Sequence, residues 1–499
     1  GEAATKPGME LDVCLGYEGR GDFGDFAGHV KQGLKPAKAK AGVRELFEGV
    51  DRVLGDVARE YSLTRPQLLA RCAILEDLLH QVETYFAGNQ NSVQEVSITP
   101  FGSFASGLSR QVGDVDLSLR GTYKNKTGTH QIWQETPKYK KTQLLEVVKK
   151  RLTSKKAAKE AAARRIARRG KAPVRWDREV QAIFGARIPL LKLKAAVDPS
   201  LRPDATVPVQ STTCAVAGQT VPLAQLSTAP VDVDLSVGGN GAAFKADVLK
   251  ILTLGSPPEV RDFVVLVKLW AKANGFNDPM GGTFNSFALN LLAIFHLQSE
   301  GLLPAFGHLL AGLGECGRDA RFEVLATYAQ SLRAVEERYT EWQKRHGERL
   351  ADRHHSRTDL LGGFLLRVGS LVACGPAAMV SLYHAKVLDY ASVPALSHTS
   401  PLFQLQDPFA LKDNVCRTVG EEKLRHIRAS FAQAPNQLRN AVKQGLRGSY
   451  DQLLKGVLRM VVKASEGDAA GGRVYAFAAD PPKKKARRKK GGAARIEYG

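Results

Sequence analysis

Residues 102–118 read GSFASGLSRQVGDVDLS, and this stretch is the most informative part of the sequence about the fold. Its last residues alternate between polar and apolar side chains. Because side chains in a strand point to opposite faces in turn, the alternation predicts a strand. Asp114 and Asp116 would then share one face, while Val115 and Leu117 point into a core. The stretch therefore predicts a strand that presents two carboxylates side by side.

Two carboxylates in this arrangement can bind the same pair of metal ions. Two-metal phosphoryl transfer uses such a clamp, with the ions about 3.5–4 Å apart, and Mg²⁺ prefers oxygen ligands. Gly102 and Ser103 stand just upstream, and a Gly-Ser turn exposes backbone N–H groups and a hydroxyl that bind phosphate oxygens. An Asp-x-Asp pair alone also occurs on many surface strands. The turn and the pair together indicate a site for phosphate and metal.

A second alternating segment, VDVDLSV at residues 231–237, repeats the D-x-D-L-S pattern of the first. Its two aspartates, Asp232 and Asp234, lie on the same face of the predicted strand. Either could supply the third carboxylate that the site needs, and periodicity does not separate them. A half-exposed edge strand with outward acidic residues is the alternative interpretation, which the repeated pattern makes less favourable.

The composition is that of a globular protein with several domains. The chain has 499 residues, of which 43% are hydrophobic and 24% charged, in the ordinary range for globular proteins. Its six cysteines are scattered without a CxxC pair or a Cys/His cluster, which predicts neither a zinc site nor a disulfide framework. The apolar runs are too short for a membrane span, and we recognise no secretory signal.

Positive charge is concentrated in two segments. The formal net charge is +21, and residues 149–178 contain 13 Lys or Arg against two acidic residues. Residues 481–490, PPKKKARRKK, contain seven Lys or Arg and no acidic residue. Such segments favour a polyanionic partner, of which nucleic acid is the obvious example. A solvated charge run without a partner is the alternative for each segment.

The first basic segment has high helix propensity. In the sequence it lies between the two predicted strands that carry the aspartates. It could bind RNA through phosphate contacts, with salt-sensitive affinity and little sequence preference. The candidate RNA-binding residues are Arg164, Arg165, Arg168 and Arg169. The second segment resembles a nuclear import signal, so we expect the protein in the nucleus, the cytoplasm or both.

Several motifs in order resemble one known family. The GS…DVD pattern resembles the polymerase-β nucleotidyltransferase superfamily. Later segments resemble the terminal uridylyltransferases of this superfamily and their poly(A)-polymerase relatives. The segment GTFNSF…IFHLQ is most similar to plant and green-algal enzymes that tail small RNAs. The segments are ARIPLLKLK, VDLSVGGNGAAFKADVLK, RDFVVLVKLWAKANGFNDPMGGTFNSFALNLLAIFHLQ, TDLLGGFLLRVG and LQDPFALKDNVCRTVGEEKLRHIRASF.

The resemblance implies an α+β fold. A polymerase-β-like nucleotidyltransferase domain with a mixed sheet would join a mainly helical central domain of the poly(A)-polymerase-associated kind. We divide the chain into a disordered or loosely attached N-terminus (1–42), helices that pack on the central domain (43–90), the catalytic domain (91–254) with its basic insert at about 150–175, the central domain (255–463) with a nucleotide-recognition loop (404–419), and a disordered basic tail (464–499).

The resemblance also assigns site residues. It selects Asp234 over Asp232 as the third carboxylate, so that Asp114, Asp116 and Asp234 would bind two Mg²⁺ or Mn²⁺ ions. Gly102 and Ser103 would bind the nucleotide phosphates.

Other matching positions would bind the incoming nucleotide. Lys268 and Lys272 lie four residues apart on one helix and so share a face, and the matching lysines of the family contact the triphosphate. Ser286 begins the next helix, where it can donate to phosphate. Phe287 matches a tyrosine on which the base stacks. Asp413 stands where many uridylyltransferases have a histidine that helps to select uracil.

The implied function is template-independent addition of nucleotides, most consistent with uridines, to the 3′ ends of small or cleaved RNAs. The expected partners are an RNA 3′ end, UTP or ATP, and a protein of RNA silencing or RNA decay, with no membrane. Addition of adenosines on the same fold is the first alternative, because Asp413 departs from the usual uracil contact. An inactive RNA-binding scaffold is the second, which the set of three carboxylates makes less favourable.

Overall fold

A computed structural model describes most of the chain. The described residues are 26–32, 34, 43–87, 93–124, 130–132, 136–154, 174–186, 188–198, 206–208, 220–238, 241–313, 325–351, 356–390, 402–464 and 473–477. The predicted RNA-binding residues Arg164, Arg165, Arg168 and Arg169 and the basic run at 481–490 lie outside them.

The helices and strands alternate in the first half of the chain, and helices dominate the second. The α-helices are α1 (Phe26–Lys31), α2 (Val43–Tyr61), α3 (Arg65–Ala87), α4 (Gly102–Ala105), α5 (Lys138–Thr153), α6 (Gly241–Leu254), α7 (Pro258–Ala273), α8 (Ser286–Ser299), α9 (Phe306–Leu310), α10 (Leu325–Ala351), α11 (Arg357–Cys374) and α12 (Glu421–Gly445). The strands are β1 (Val93–Phe101), β2 (Val115–Lys124), β3 (His130–Ile132), β4 (Val174–Trp176), β5 (Gln181–Ile183), β6 (Leu190–Val197), β7 (Thr206–Pro208), β8 (Thr220–Pro222), β9 (Val231–Val237), β10 (Ala378–Ser381), β11 (Lys386–Asp389), β12 (Gln404–Asp407), β13 (Ala410–Asn414), β14 (Met460–Ala464) and β15 (Arg473–Phe477).

A seven-stranded sheet forms the centre of the first domain. Its main path runs β1-β2-β9-β6-β4, while β3 pairs with β2 and β5 pairs with β6. The β2–β9 pair is parallel, and the other pairs of this sheet are antiparallel. The predicted α+β class with a mixed sheet is therefore confirmed.

Alternating apolar residues attach this sheet to its helices. Val115 and Leu117 of β2 and Val233 and Leu235 of β9 are at most 1% exposed, because every second side chain of a strand faces inward. They pack with α3 and α5 in one hydrophobic core. Helix α3 thus backs the sheet, which corrects our prediction that the whole of 43–90 packs on the central domain.

The second core belongs to the helical domain. Phe47 and Leu54 of α2 are fully buried there together with Trp270 of α7 and apolar residues of α6, α8, α11 and α12. The chain therefore passes from the helical core to the sheet core at residues 62–64, between α2 and α3.

A four-stranded sheet in the order β11-β10-β12-β13 completes the helical domain. Strands β12 and β13 are antiparallel, with Gln406 opposite Asn414. The predicted nucleotide-recognition loop at 404–419 therefore begins as a β-hairpin. Its first strand is buried along its whole length, which fixes the hairpin against the domain.

Two predictions about the termini are wrong in part. Phe26 and Val30 of α1 are fully buried and pack in the helical core, although we predicted that residues 1–42 are disordered or loosely attached. Strand β15 pairs with β14, although we predicted disorder for 464–499. In both places a few apolar residues complete a core or a strand pair within a polar, Gly-rich segment.

Two further features concern the cysteines and helix α11. We predicted no disulfide framework, whereas Cys72 and Cys374 are each disulfide-bonded and Cys416 is free and buried.

Among the described residues, one helical stretch (Arg357–Ala377) is long and apolar enough to cross a membrane. Its Leu361 and Phe364 are fully buried in the helical core, as expected for a core helix.

Candidate active site

The register of two parallel strands creates the carboxylate cluster. Asp116 of β2 lies directly opposite Asp234 of β9, and Asp114 immediately precedes β2. Ligand oxygens of these three carboxylates all lie within 4.8 Å of one another. The structure thus brings together the three aspartates that the sequence predicted as metal ligands.

The same sheet separates Asp234 from Asp232. Strand β6 places Lys192 opposite Asp234 and Lys194 opposite Asp232. The Lys192 Nζ atom lies 2.9 Å from Asp234, while Lys194 lies 3.4 Å from Asp232. The side chain of Asp232 is 67% exposed and that of Asp234 is 16% exposed, so Asp234 is the one that faces the cluster.

A glycine turn lies against the cluster because β1 pairs with β2 and places Phe101 opposite Asp116. Gly102 follows with a φ of +68°, a left-handed conformation that favours glycine. A Cβ atom at this position would lie 2.2 Å from the Oδ2 atom of Asp116. Ser103 continues the turn, and its carbonyl accepts a hydrogen bond from Leu108 N at 3.0 Å. Only glycine leaves room for Asp116 at this point.

Burial and mutual repulsion raise the pKa values of the clustered acids. The pKa of Asp116 rises to about 7, first because the group is buried and then because Asp114 and Asp234 repel its negative charge. The pKa of Asp234 also rises through burial, although Lys192 opposes the shift. Crowded carboxylates of this kind are stabilised in the charged form by a bound cation. The donor set, all oxygen, suits Mg²⁺ or Mn²⁺.

The predicted triphosphate lysines differ in their surroundings. Lys268 is 5% exposed, and its Nζ atom donates to the carbonyl of Leu108 at 2.8 Å. Burial and the charge of Arg110 lower the pKa of Lys268 to about 8. Lys272 is half-buried on the same helix. Lys268 therefore binds the loop that leads to Asp114.

Ser286 and Phe287 begin α8, at the side of the helical domain. The Ser286 hydroxyl donates to Asn277 Oδ1 at 3.1 Å, and Asn285 caps the helix by accepting from Ala288 N at 2.8 Å. The amide groups of this first turn form the positive end of the helix. Ser286 is thus at a position that suits a phosphate group.

Phe287 faces the recognition hairpin. Its ring centroid lies 6.5 Å from that of Phe409, and the Lys245 Nζ atom lies 5.4 Å from the Phe287 centroid. Lys245, from α6, also forms an ion pair with Asp407 of β12. Asp413 is half-buried on β13 of the same hairpin. These contacts join α6 and α8 to the hairpin beside the predicted stacking position.

An open groove of about 950 Å³ begins at the carboxylates. It is lined by Asp114 and Asp234, and its cationic side chains include Lys149, Lys192 and Arg178. The groove therefore extends from the cluster along β6.

Residues 50–251 match the family model "Poly(A) RNA polymerase, mitochondrial-like, central palm domain". This region is therefore similar to the central palm domain that the model describes. All three clustered aspartates and the glycine turn lie inside the matched region.

Among curated proteins, the chain is similar to Protein HESO1 of Arabidopsis thaliana. The two sequences are 25% identical over 253 residues, which is 50% of this chain and 37% of HESO1. The chain thus spans little more than a third of the length of that relative.

Two solved structures are similar to this chain in fold to different extents. The structure of mtPAP in complex with GTP has a TM-score of 0.52 at 16% identity and covers 82% of this chain and 73% of its own. A cytoplasmic RNA terminal U-transferase has a TM-score of 0.49 at 19% identity, with coverage of 78% and 94%.

Several residues of this site were not predicted from the sequence. Lys192 was predictable in principle, because the alternating KLK of β6 complements the DVD of β9 in charge. Arg71 is 3% exposed on α3, and a lone arginine in an apolar helical stripe was its signal. Lys245 had none, because its partner Asp407 is 162 residues away.

Proposed function

We propose that the chain is a template-independent RNA 3′-terminal nucleotidyltransferase that adds uridylate from UTP. The observation that carries this proposal is the strand register that brings Asp116 opposite Asp234, with Asp114 in the same cluster and Gly102 against it. A nucleotidyl transfer site needs such a carboxylate cluster beside a phosphate-binding turn.

The metal ligands have separate roles in this proposal. Asp114 and Asp116 would hold both ions, and Asp234 would hold the catalytic one. Two bound Mg²⁺ or Mn²⁺ ions would supply charge stabilisation for the attacking and leaving oxygens. Asp234 also accepts the proton of the RNA 3′-hydroxyl, which then attacks the α-phosphorus and releases pyrophosphate.

The remaining residues hold the nucleotide. Backbone N–H groups at Gly102 and Ser103 bind phosphate oxygens, and Ser286 donates to the triphosphate at the positive end of α8. Lys268 and Lys272 neutralise its negative charge. The base stacks on Phe287, an interaction worth about 1–3 kcal/mol that tolerates any base.

The RNA strand lies in the groove that begins at Asp234. Lys149 and Arg178 line this groove, and both flank the basic insert at about 150–175. Contacts from these cations to phosphate are sequence-independent and weaken as salt rises. Selection of a small or cleaved RNA then falls to a partner protein of RNA silencing or decay.

Adenosine addition is the second candidate, and the poly(A) polymerase name of the matching palm model favours it. The preference for UTP rests on the central motif GTFNSF…IFHLQ. At the base end, Asp413 can accept a hydrogen bond from uracil N3–H or from the adenine amino group, so both bases fit the hydrogen-bonding chemistry.

Incubation of the protein with labelled RNA and each NTP separately distinguishes the two candidates. The proposal expects 3′ extension with UTP well above that with ATP. Equal use of ATP, or preference for it, would favour the adenosine-adding enzyme. Extension by an Asp116→Ala variant at the wild-type rate would exclude the catalytic assignment itself.

A further inference from the structure

The segment that leads to Asp114 is anchored unusually tightly. Residues 106–113 connect the glycine turn to β2 without regular structure of their own. Gly113 closes a turn so tight that a Cβ atom there would lie 2.7 Å from Ser109 Oγ and 3.0 Å from the Arg110 carbonyl. The direction in which Asp114 leaves this turn therefore depends on how residues 111–113 are held.

A buried arginine of α3 holds those residues. One terminal nitrogen of Arg71, Nη2, donates to the Gln111 carbonyl at 2.7 Å and to the Gly113 carbonyl at 3.0 Å. The other, Nη1, donates to Gln67 O at 3.3 Å in its own helix. Since Gly113 O belongs to the peptide group that joins Gly113 to Asp114, Arg71 fixes the peptide plane from which the metal ligand projects.

The junction between α2 and α3 holds the same segment from the other side. Arg110 forms a β-bridge with Ser62, and Gln111 N donates to the Tyr61 carbonyl at 3.2 Å. The Gln111 side chain donates to the Glu60 carbonyl. This junction is where the chain passes between the two cores, so the segment is tied to the boundary of both domains.

Helix α7 of the helical domain holds the start of the segment. Arg261 donates to the Gly107 carbonyl at 3.2 Å and to Ser62 Oγ at 3.1 Å. Lys268 donates to the Leu108 carbonyl at 2.8 Å. Three cations from two domains thus bind four carbonyls of a single short segment.

Stability alone does not account for Arg71. A buried cation is expensive to desolvate, and an apolar residue of similar volume is often equally or more stabilising. Arg71 is 3% exposed, and all its hydrogen bonds in the described structure go to backbone carbonyls. A guanidinium can hold two carbonyls at once with a fixed angle between them, which no apolar side chain does.

We propose that Arg71 is a positioning residue for the metal site, which orients Asp114 through the carbonyls of Gln111 and Gly113. This inference rests on the proposed two-metal function, because it gives Asp114 the role of a metal ligand. Residues behind the ligands of a metal site typically contribute 10–100-fold to metal affinity, and Arg71 acts on the ligand through its backbone.

The test measures Mn²⁺ binding to the full-length protein by electron paramagnetic resonance, without RNA or nucleotide. We expect Arg71→Met to bind Mn²⁺ about tenfold more weakly or worse, while a thermal melt shows that the variant is folded at the assay temperature. Arg71→Lys, which keeps one cationic donor group, should fall between the two. Arg367→Met is the matched control, because Arg367 is 6% exposed but lies in α11, and its affinity should equal that of the wild type.

A lower thermal midpoint with wild-type Mn²⁺ affinity in Arg71→Met would show a merely structural role and overturn the inference. If Arg71→Met does not fold, Gln111→Ala tests how the same segment is held, because it removes the side chain that donates to the Glu60 carbonyl. Mn²⁺ affinity equal to that of the wild type in both Gln111→Ala and Arg71→Lys would also overturn the inference. The proposed function and the inference about Arg71 fail in different ways. A wild-type protein that binds no Mn²⁺ refutes the proposed function as well, whereas tight binding unaffected by Arg71→Met refutes this inference alone.

Discussion

The carboxylate end and the base end of the candidate active site are built in different ways. At the carboxylate end, backbone pairing between β2 and β9 sets the distance between Asp116 and Asp234. At the base end, the side chains of Lys245 on α6 and Asp407 on β12 meet as an ion pair, with no strand pairing between the two elements. The comparison teaches that chemistry set by a sheet register is strict, whereas selection of the base depends on side chains that can exchange partners. Substitutions should therefore have larger effects at the carboxylate end.

The largest expected effect comes from Asp116→Ala. It removes a ligand shared by both ions, and the lost charge stabilisation of several kcal/mol corresponds to roughly a thousandfold or greater fall in kcat. RNA extension at saturating UTP and Mg²⁺ measures it. The control is Asp451→Ala, since Asp451 is a surface residue with 72% of its side chain exposed. A fall of less than tenfold in Asp116→Ala would contradict the shared-ligand role.

The next effect comes from Gly102→Ala, which places a methyl group against Asp116 Oδ2. Because misplacing a reacting group by about 1 Å can lower the rate about 100-fold, we expect a loss of that size in kcat. Gly312→Ala is the matched control, since Gly312 has a φ of +72° but nothing within 4 Å of its Cβ position. Similar losses in both variants would assign the effect to backbone strain rather than to the collision with Asp116.

A smaller effect is expected at the base end. Phe287→Ala removes the proposed stacking surface, worth about 1–3 kcal/mol, so the KM for UTP should rise about 5- to 150-fold. Phe287→Tyr keeps the ring and should retain a KM close to that of the wild type. Equal effects of the two substitutions would show that the ring does not bind the base.

The smallest expected effect is on stability without metal. The pKa of Asp116 is raised by burial and by its acidic neighbours to about 7, so ionising it destabilises the folded state. Stability of the metal-free protein should thus decrease as pH rises from about 4 to about 7. At pH 8, Asp116→Asn should melt at least about 2 °C higher than the wild type, and Mg²⁺ should remove this difference by stabilising the wild type.

Thermal melts at pH 4.5 and pH 8, each with and without Mg²⁺, measure the effect. The difference between Asp116→Asn and the wild type should disappear at the lower pH, where the Asp116 carboxyl is protonated. A difference that is independent of pH would show that Asp116 does not titrate in this range.

Local patterns in the sequence were sufficient to predict the strand beside Asp114 and Asp116, whereas the domain around it was predicted from the family resemblance. Alternation at residues 114–119 predicted the strand and the shared face of Asp114 and Asp116, because side-chain direction in a strand depends only on position. Choosing Asp234 over Asp232 required family resemblance. The structure adds the physical reason, which is the register between β9 and its two neighbours.

Long-range contacts could not be predicted in this way. Two examples join residues far apart in the chain. One is the ion pair between Lys245 and Asp407, and the other is the hydrogen bond from Arg71 to the Gly113 carbonyl before Asp114. Helix α3 was assigned to the wrong core for the same reason, since its apolar stripe fits a helical layer and a sheet equally well.

The most direct test of the central claim compares Asp234→Asn with Asp232→Asn in RNA tailing. The two residues share a strand and a face, and each lies opposite a lysine of β6, so their charge and strand pairing are matched while only Asp234 faces the cluster. The account predicts that Asp234→Asn abolishes 3′ extension and weakens Mn²⁺ binding, while Asp232→Asn stays within about threefold of the wild type, as a surface substitution should. Comparable activity in the two variants, or greater loss in Asp232→Asn, would contradict it.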